Sequence, residues 1–143
     1  MSEQRRLLLD THIWFWLVTA NRRKLKAASI NKLSATAEHS KLLVSVISAW
    51  EIAMLETKGR LGLGVPVQAW VTTACAQPEF ELTGLSVPLA LDSVSLPGQF
   101  HSDPADRFLV ATARTQQATL VTYDEKIIAY AKAGHVNVLG VAT

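Results

Sequence analysis

Four carboxylic acids stand where a chain would place chemistry. Asp10 ends the apolar run Leu7-Leu8-Leu9, and Asp124 ends the run Ala118-Thr119-Leu120-Val121-Thr122-Tyr123. Glu51 and Asp106 each fall in the first turn of an expected helix, after Ser48 and after Asp103-Pro104. If the apolar runs are strands of one parallel sheet, all four acids lie on the same edge. Ligands of open α/β sheets bind there, beyond the strand C-termini. Carboxylates facing one another repel and cannot all ionise unaided. A hard cation such as Mg2+, with Mn2+ as a substitute, takes oxygen ligands and keeps positions for water and a substrate phosphate. The chemistry expected is hydrolysis of a phosphodiester by metal-activated water, in one- or two-metal form.

Each acid also has a purely structural reading. Glu51 completes a Ser-x-x-Glu capping box with Ser48. Asp103 suits an N-cap with Pro104 at N1, and Asp106 at N3 complements the helix dipole. Asp124 can cap a helix starting near Lys126, and Asp10 or Thr11 one starting near His12. Asp10 is the hardest to explain this way, because an acid between Leu9 and the run Ile13-Trp14-Phe15-Trp16 is costly without a partner. Other chemistries fare worse. Cys75 is the single cysteine and has no patterned histidine, and no Gly-x-Ser-x-Gly elbow occurs. His12, His39, His101 and His135 show no zinc spacing; they read as surface or packing residues, although His12 and His101 flank acid segments and can reach a substrate.

Positioning these acids requires strands alternating with helices. Strands are expected over 6–10, 41–46, 80–85, 118–124 and 136–141. Helices are expected from His12, over 25–40, over 48–58 with a stop at Gly59, and over 67–76. A short one follows within 86–96, then 104–117 and 126–133. Such alternation implies βαβ crossovers and a parallel sheet, an α/β fold. No repeat or linker divides the chain, so one domain over 1–143 is expected. The composition, 49% hydrophobic and 18% charged, suits a sheet buried on both faces, a dimer interface, or both. A net charge of +2 does not by itself announce nucleic acid. Its distribution says more: Arg22, Arg23, Lys24 and Lys26 crowd one short stretch, either a solvated helix end or a rim for phosphates. A lone cysteine and the lack of any apolar run near the ~18 residues of a membrane span point to a reducing, cytoplasmic setting.

At Leu8-Leu9-Asp10-Thr11-His12-Ile13-Trp14, Val46-Ile47-Ser48-Ala49-Trp50-Glu51-Ile52, Lys58-Gly59-Arg60-Leu61, Asp103-Pro104-Ala105-Asp106-Arg107 and Leu120-Val121-Thr122-Tyr123-Asp124 the chain resembles PIN-domain ribonucleases, specifically VapC-type toxins of bacterial toxin–antitoxin pairs. The segments come in the family's order and span almost the whole chain. The resemblance implies a three-layer PIN-like fold, a central parallel sheet flanked by helices. It implies a Mg2+-dependent endoribonuclease with Asp10 and Asp106 as principal metal ligands, and Glu51 and Asp124 assisting directly or through water. Thr122 would orient a ligand or water, with Thr11 as a second supporting residue. Cleavage would be in line, leaving a 3′ hydroxyl and a 5′ phosphate. Arg22, Arg23, Lys24, Lys26 and Arg60 would hold the RNA backbone. Similar proteins form homodimers and are silenced by a cognate antitoxin that lays a segment, often basic, across the acids. The rival expectations are a non-catalytic RNA- or partner-binding module and a phospho-acceptor receiver domain. The receiver wants an adjacent acid pair after the first strand, where Asp10-Thr11 offers one acid.

Overall fold

The computed structural model describes residues 5–141. Among them five strands form one all-parallel sheet in the order β3-β2-β1-β4-β5. The strands are β1 (Leu7–Leu9), β2 (Leu42–Ser45), β3 (Phe80–Thr83), β4 (Thr119–Thr122) and β5 (Val138–Gly140). The helices are α1 (Thr11–Val18), α2 (Ala27–Ala37), α3 (Val46–Thr57), α4 (Val67–Cys75), α5 (Val87–Val94), α6 (Pro104–Thr115) and α7 (Glu125–Lys132). The parallel pairing follows from the long helical connections, because only a crossover returns a chain to start a parallel neighbour.

Side chains alternate across the inner strands and so divide the core in two. Leu8, Leu43 and Leu120 pack with Leu89 of α5, Leu109 and Val110 of α6, and Ile127 of α7. Leu9, Val44 and Val121 pack on the other face with Ile13 and Trp14 of α1, Leu33 of α2 and Ala74 of α4. This is the expected three-layer arrangement, and near-continuous apolar strands are what burial on both faces selects.

Two local expectations change. The helix expected to open at Ser48 begins at Val46, and Ser45 caps it by accepting from the Ile47 N–H at 3.0 Å. Ser48 is buried instead, with its hydroxyl on Thr11 Oγ1 at 2.9 Å. Glu51 therefore sits in the second turn and forms no capping box. Ser45→Ala is expected to destabilise the chain by about 1 kcal/mol in urea unfolding, the usual cost of losing an N-cap; no loss would place the cap elsewhere. The second concerns β3, whose run Phe80-Glu81-Leu82-Thr83-Gly84-Leu85 alternates apolar residues with others in sequence, the pattern of a half-buried strand. Its burial is not alternating: Phe80 is buried while Leu82 is 51% exposed, because β3 is a sheet edge.

The segment between α5 and α6 is held by one side chain. Arg107 donates Nε to the Ser93 carbonyl at 2.7 Å, Nη2 to Val94 at 3.2 Å, and Nη1 to Phe100 and His101 at 3.0 and 3.1 Å. Carbonyls at the C-terminal end of α5 lack helical donors, and the guanidinium supplies them. The same bonds set His101 beside the first turn of α6.

Candidate active site

The strand order decides which acids meet. After β1 the chain moves to β2 on one side, and β4 occupies the other, so β1 and β4 flank the topological switch point where a crevice opens. Asp10 follows β1 and Asp124 follows β4. The Asp10 N–H still bonds the Val121 carbonyl at 2.9 Å, so the carboxylate emerges directly from the ladder. Thr122, 112 residues away, donates its hydroxyl to Asp10 Oδ2 at 2.6 Å, and the Thr11 N–H bonds Oδ1 at 2.7 Å. Asp10 thus caps α1 and is held at both oxygens while only 5% exposed. Burial, outweighing these hydrogen bonds, pushes its carboxyl up from the ordinary value.

Asp124 caps α7 through the Lys126 and Ile127 N–H groups, at 2.8 and 3.4 Å. Its own N–H bonds Thr122 Oγ1 at 3.0 Å, so one threonine ties Asp10 to the Asp124 turn. Asp106 comes from the first turn of α6, which Asp103 caps at 3.0 Å as expected. Burial first, then the charges of Asp10, Asp103, Asp124 and Glu51, push the Asp106 carboxyl up to about 8. Glu51 is likewise raised, chiefly by burial and further by Asp10 and Asp103, with the Thr11 hydroxyl acting against them. Asp106 therefore feels the charges of the other three predicted acids. They do not converge fully: among the described residues no group of three or more His, Cys, Asp or Glu is gathered tightly enough to hold a metal ion.

The basic candidates divide. Arg22, Arg23, Lys24 and Lys26 are exposed in the turn between α1 and α2. Ala28 and Ser29, just beyond, line a hollow with Gly140 and Val141 at the C-terminal end of β5, so this turn sits toward the acid-bearing edge. Arg60 is exposed beyond the far end of α3, separated from Glu51 by the rest of that helix. His101, expected at the surface or in packing, has Nε2 3.2 Å from Asp106 Oδ2, close but out of hydrogen-bond alignment. The sequence reading missed Ser48 as the Thr11 partner, and it missed Tyr123. The signal for Tyr123 was its place between Thr122 and Asp124.

The pattern of the PIN domain matches residues 7–133, nearly the whole described chain. The chain belongs to the PIN-domain family. Ribonuclease VapC22 of Mycobacterium tuberculosis is 33% identical over 121 residues, covering 85% of this chain and 88% of that protein. Solved PIN-like folds agree. The structure of VapBC2 from Rickettsia felis bound to a promoter DNA fragment superposes with a TM-score of 0.71 at 17% identity, covering 95% of this chain and 98% of that one. FitAcB from Neisseria gonorrhoeae gives 0.61 at 18% identity, covering 94% and 96%. At these identities the two superpositions speak for the fold alone.

Proposed function

We propose that this PIN domain is a metal-dependent endoribonuclease, the toxin of a toxin–antitoxin pair, acting at Asp10, Glu51, Asp106 and Asp124. The observation that carries the reading is that Asp10 and Asp124 leave adjacent strands at the switch-point edge tied through Thr122, with the Asp106 carboxyl nearby pushed up to about 8 by burial first and then by four neighbouring acids. Strongly perturbed acids in a crevice are candidates for a functional site. The relative's name, a ribonuclease, supplies the substrate class.

The donor set fits Mg2+ or Mn2+: all oxygen, carboxylate-rich, without thiolate. Asp10 and Asp106 would hold the ion, with Glu51 and Asp124 directly or through water. Such an ion, once bound, would neutralise charge developing on the phosphodiester and would lower the pKa of a water. The chain's own residues do the rest. Thr122 and the Thr11 N–H fix both Asp10 oxygens, leaving the carboxylate no freedom to rotate away. Ser48 holds Thr11 in turn. The basic turn Arg22–Lys26 would grip RNA phosphates, which positions the strand without specifying sequence.

Silencing by an antitoxin and assembly into a homodimer belong to the same proposal. They are supported by the toxin–antitoxin complexes among proteins of similar fold and by the exposed apolar row Val87, Leu91 and Val94 on α5. No helix of the described residues is long and apolar enough to cross a membrane. The deciding experiment incubates the purified chain with an unstructured RNA oligonucleotide in Mg2+ and again with excess chelator. Cleavage that the chelator stops and Mg2+ restores is expected. The rival, a non-catalytic RNA binder, draws on the acids' incomplete convergence; RNA binding without metal-dependent cleavage would decide for it.

A further inference from the structure

Beside the acids lies a group of three aromatic rings that the proposed chemistry does not use. His12 in the first turn of α1 has its ring centroid 5.6 Å from Trp16, one turn later. Trp16 lies 4.9 Å from Tyr123, and Tyr123 closes the triangle edge-on to His12 at 6.0 Å and 82°. Trp16 is buried and backs the other two, whereas His12 and Tyr123 are half-exposed. Tyr123 stands between Thr122, whose hydroxyl bonds Asp10, and Asp124. Along the chain, α1 ends at Val18, and the exposed Arg22, Arg23 and Lys24 follow in the turn before α2.

From this arrangement we infer that His12 and Tyr123, braced by Trp16, form a stacking subsite for an unpaired nucleobase adjoining the scissile phosphate. The inference rests on the RNA-cleaving reading and names the side chains that would meet a base beside the acids. The face of an aromatic ring is poorly matched to carboxylates or to a phosphate, and well matched to the face of a base. In an A-form duplex both faces of each base are covered by neighbours, so only a splayed, single-stranded nucleotide can occupy such a platform.

The test is steady-state cleavage in Mg2+ of an unstructured RNA oligonucleotide, and of the same strand annealed to its complement. Tyr123→Leu keeps apolar bulk and removes the π face. It is expected to raise KM for the single strand about 10-fold with kcat within about twofold, the signature of lost uniform binding. The preference for single strand over duplex falls by a similar factor. Tyr123→Phe and Tyr123→Trp stay within about twofold of wild type, and His12→Leu raises KM several-fold. If Tyr123→Leu is too unstable to assay, the His12→Leu shift carries the test. A wild-type KM in the leucine variants, or equal losses on both substrates, overturns the subsite while leaving the nuclease reading intact. A wild-type chain that cuts no RNA in Mg2+ overturns both.

Discussion

Asp10→Asn is expected to lower RNA cleavage by about 100- to 1000-fold or more while the chain stays folded. The reason lies in what asparagine preserves. Its carbonyl oxygen can still accept the Thr11 N–H and cap α1, and its amide can donate to the Thr122 hydroxyl, which is free to rotate. Only the charge is lost, together with the affinity for a hard cation that a carboxylate supplies. Electrostatic groups aimed at a reacting phosphate typically carry losses of that size when removed singly. Stability should not fall, because burial already disfavours the ionised Asp10, and a neutral amide avoids that cost. Circular dichroism and thermal melting of the variant, beside cleavage across a Mg2+ titration, separate the effects. Wild-type cleavage by Asp10→Asn in Mg2+ defeats the assignment of the acids.

The stability of the metal-free chain is expected to fall as pH rises from about 4 to about 8, and Mg2+ is expected to flatten that slope. The sign follows from Asp106, whose carboxyl is raised from 3.8 to about 8 in the folded chain. Between those values the folded state holds a proton that the unfolded state has released. Stability then declines with pH, because it rises only where the unfolded state binds more protons. The stabilisation is fully present below the unfolded value and is lost as pH climbs toward the folded one. Asp10 and Glu51, both raised, push in the same direction. Allowing for partial solvent exposure of Asp106, the loss is on the order of 3 kcal/mol across the window. A divalent ion takes the place of the proton, so it should stabilise more at pH 8 than at pH 5. Urea unfolding in chelator and in Mg2+, at pH 5, 6, 7 and 8, reads both quantities. Stability that climbs over this range without metal, or a Mg2+ effect equal at pH 5 and 8, would remove the charge repulsion from the site.

Much of this protein is written locally. Each of the five strands sits within the expected runs, since residues buried on both faces must be apolar throughout and Leu42-Leu43-Val44 or Leu120-Val121 leave no other reading. Asp103-Pro104 announces α6 with certainty, because a capping oxygen and a fixed φ at N1 act within a few residues. The start of α3 was less legible. Ser45 and Ser48 are equally good caps in sequence, and what separates them is Thr11, from a distant segment, drawing Ser48 into the core. Leu82 misled for a similar reason: nothing local says that β3 will be an edge.

By itself the sequence determined that acids would end strands and open helices on one edge, because side-chain period, capping and turn chemistry are short-range. Only the tertiary structure decided their company. Pairing β1 with β4 sets Thr122 on Asp10 across 112 residues. The same pairing brings Tyr123 against Trp16 and His12. Helix packing raises Asp106 above its ordinary range, and the Arg107 guanidinium fixes His101 beside it. These are non-local contacts, selected by which strands lie adjacent and which helix faces pack together, and no short window of sequence encodes that choice.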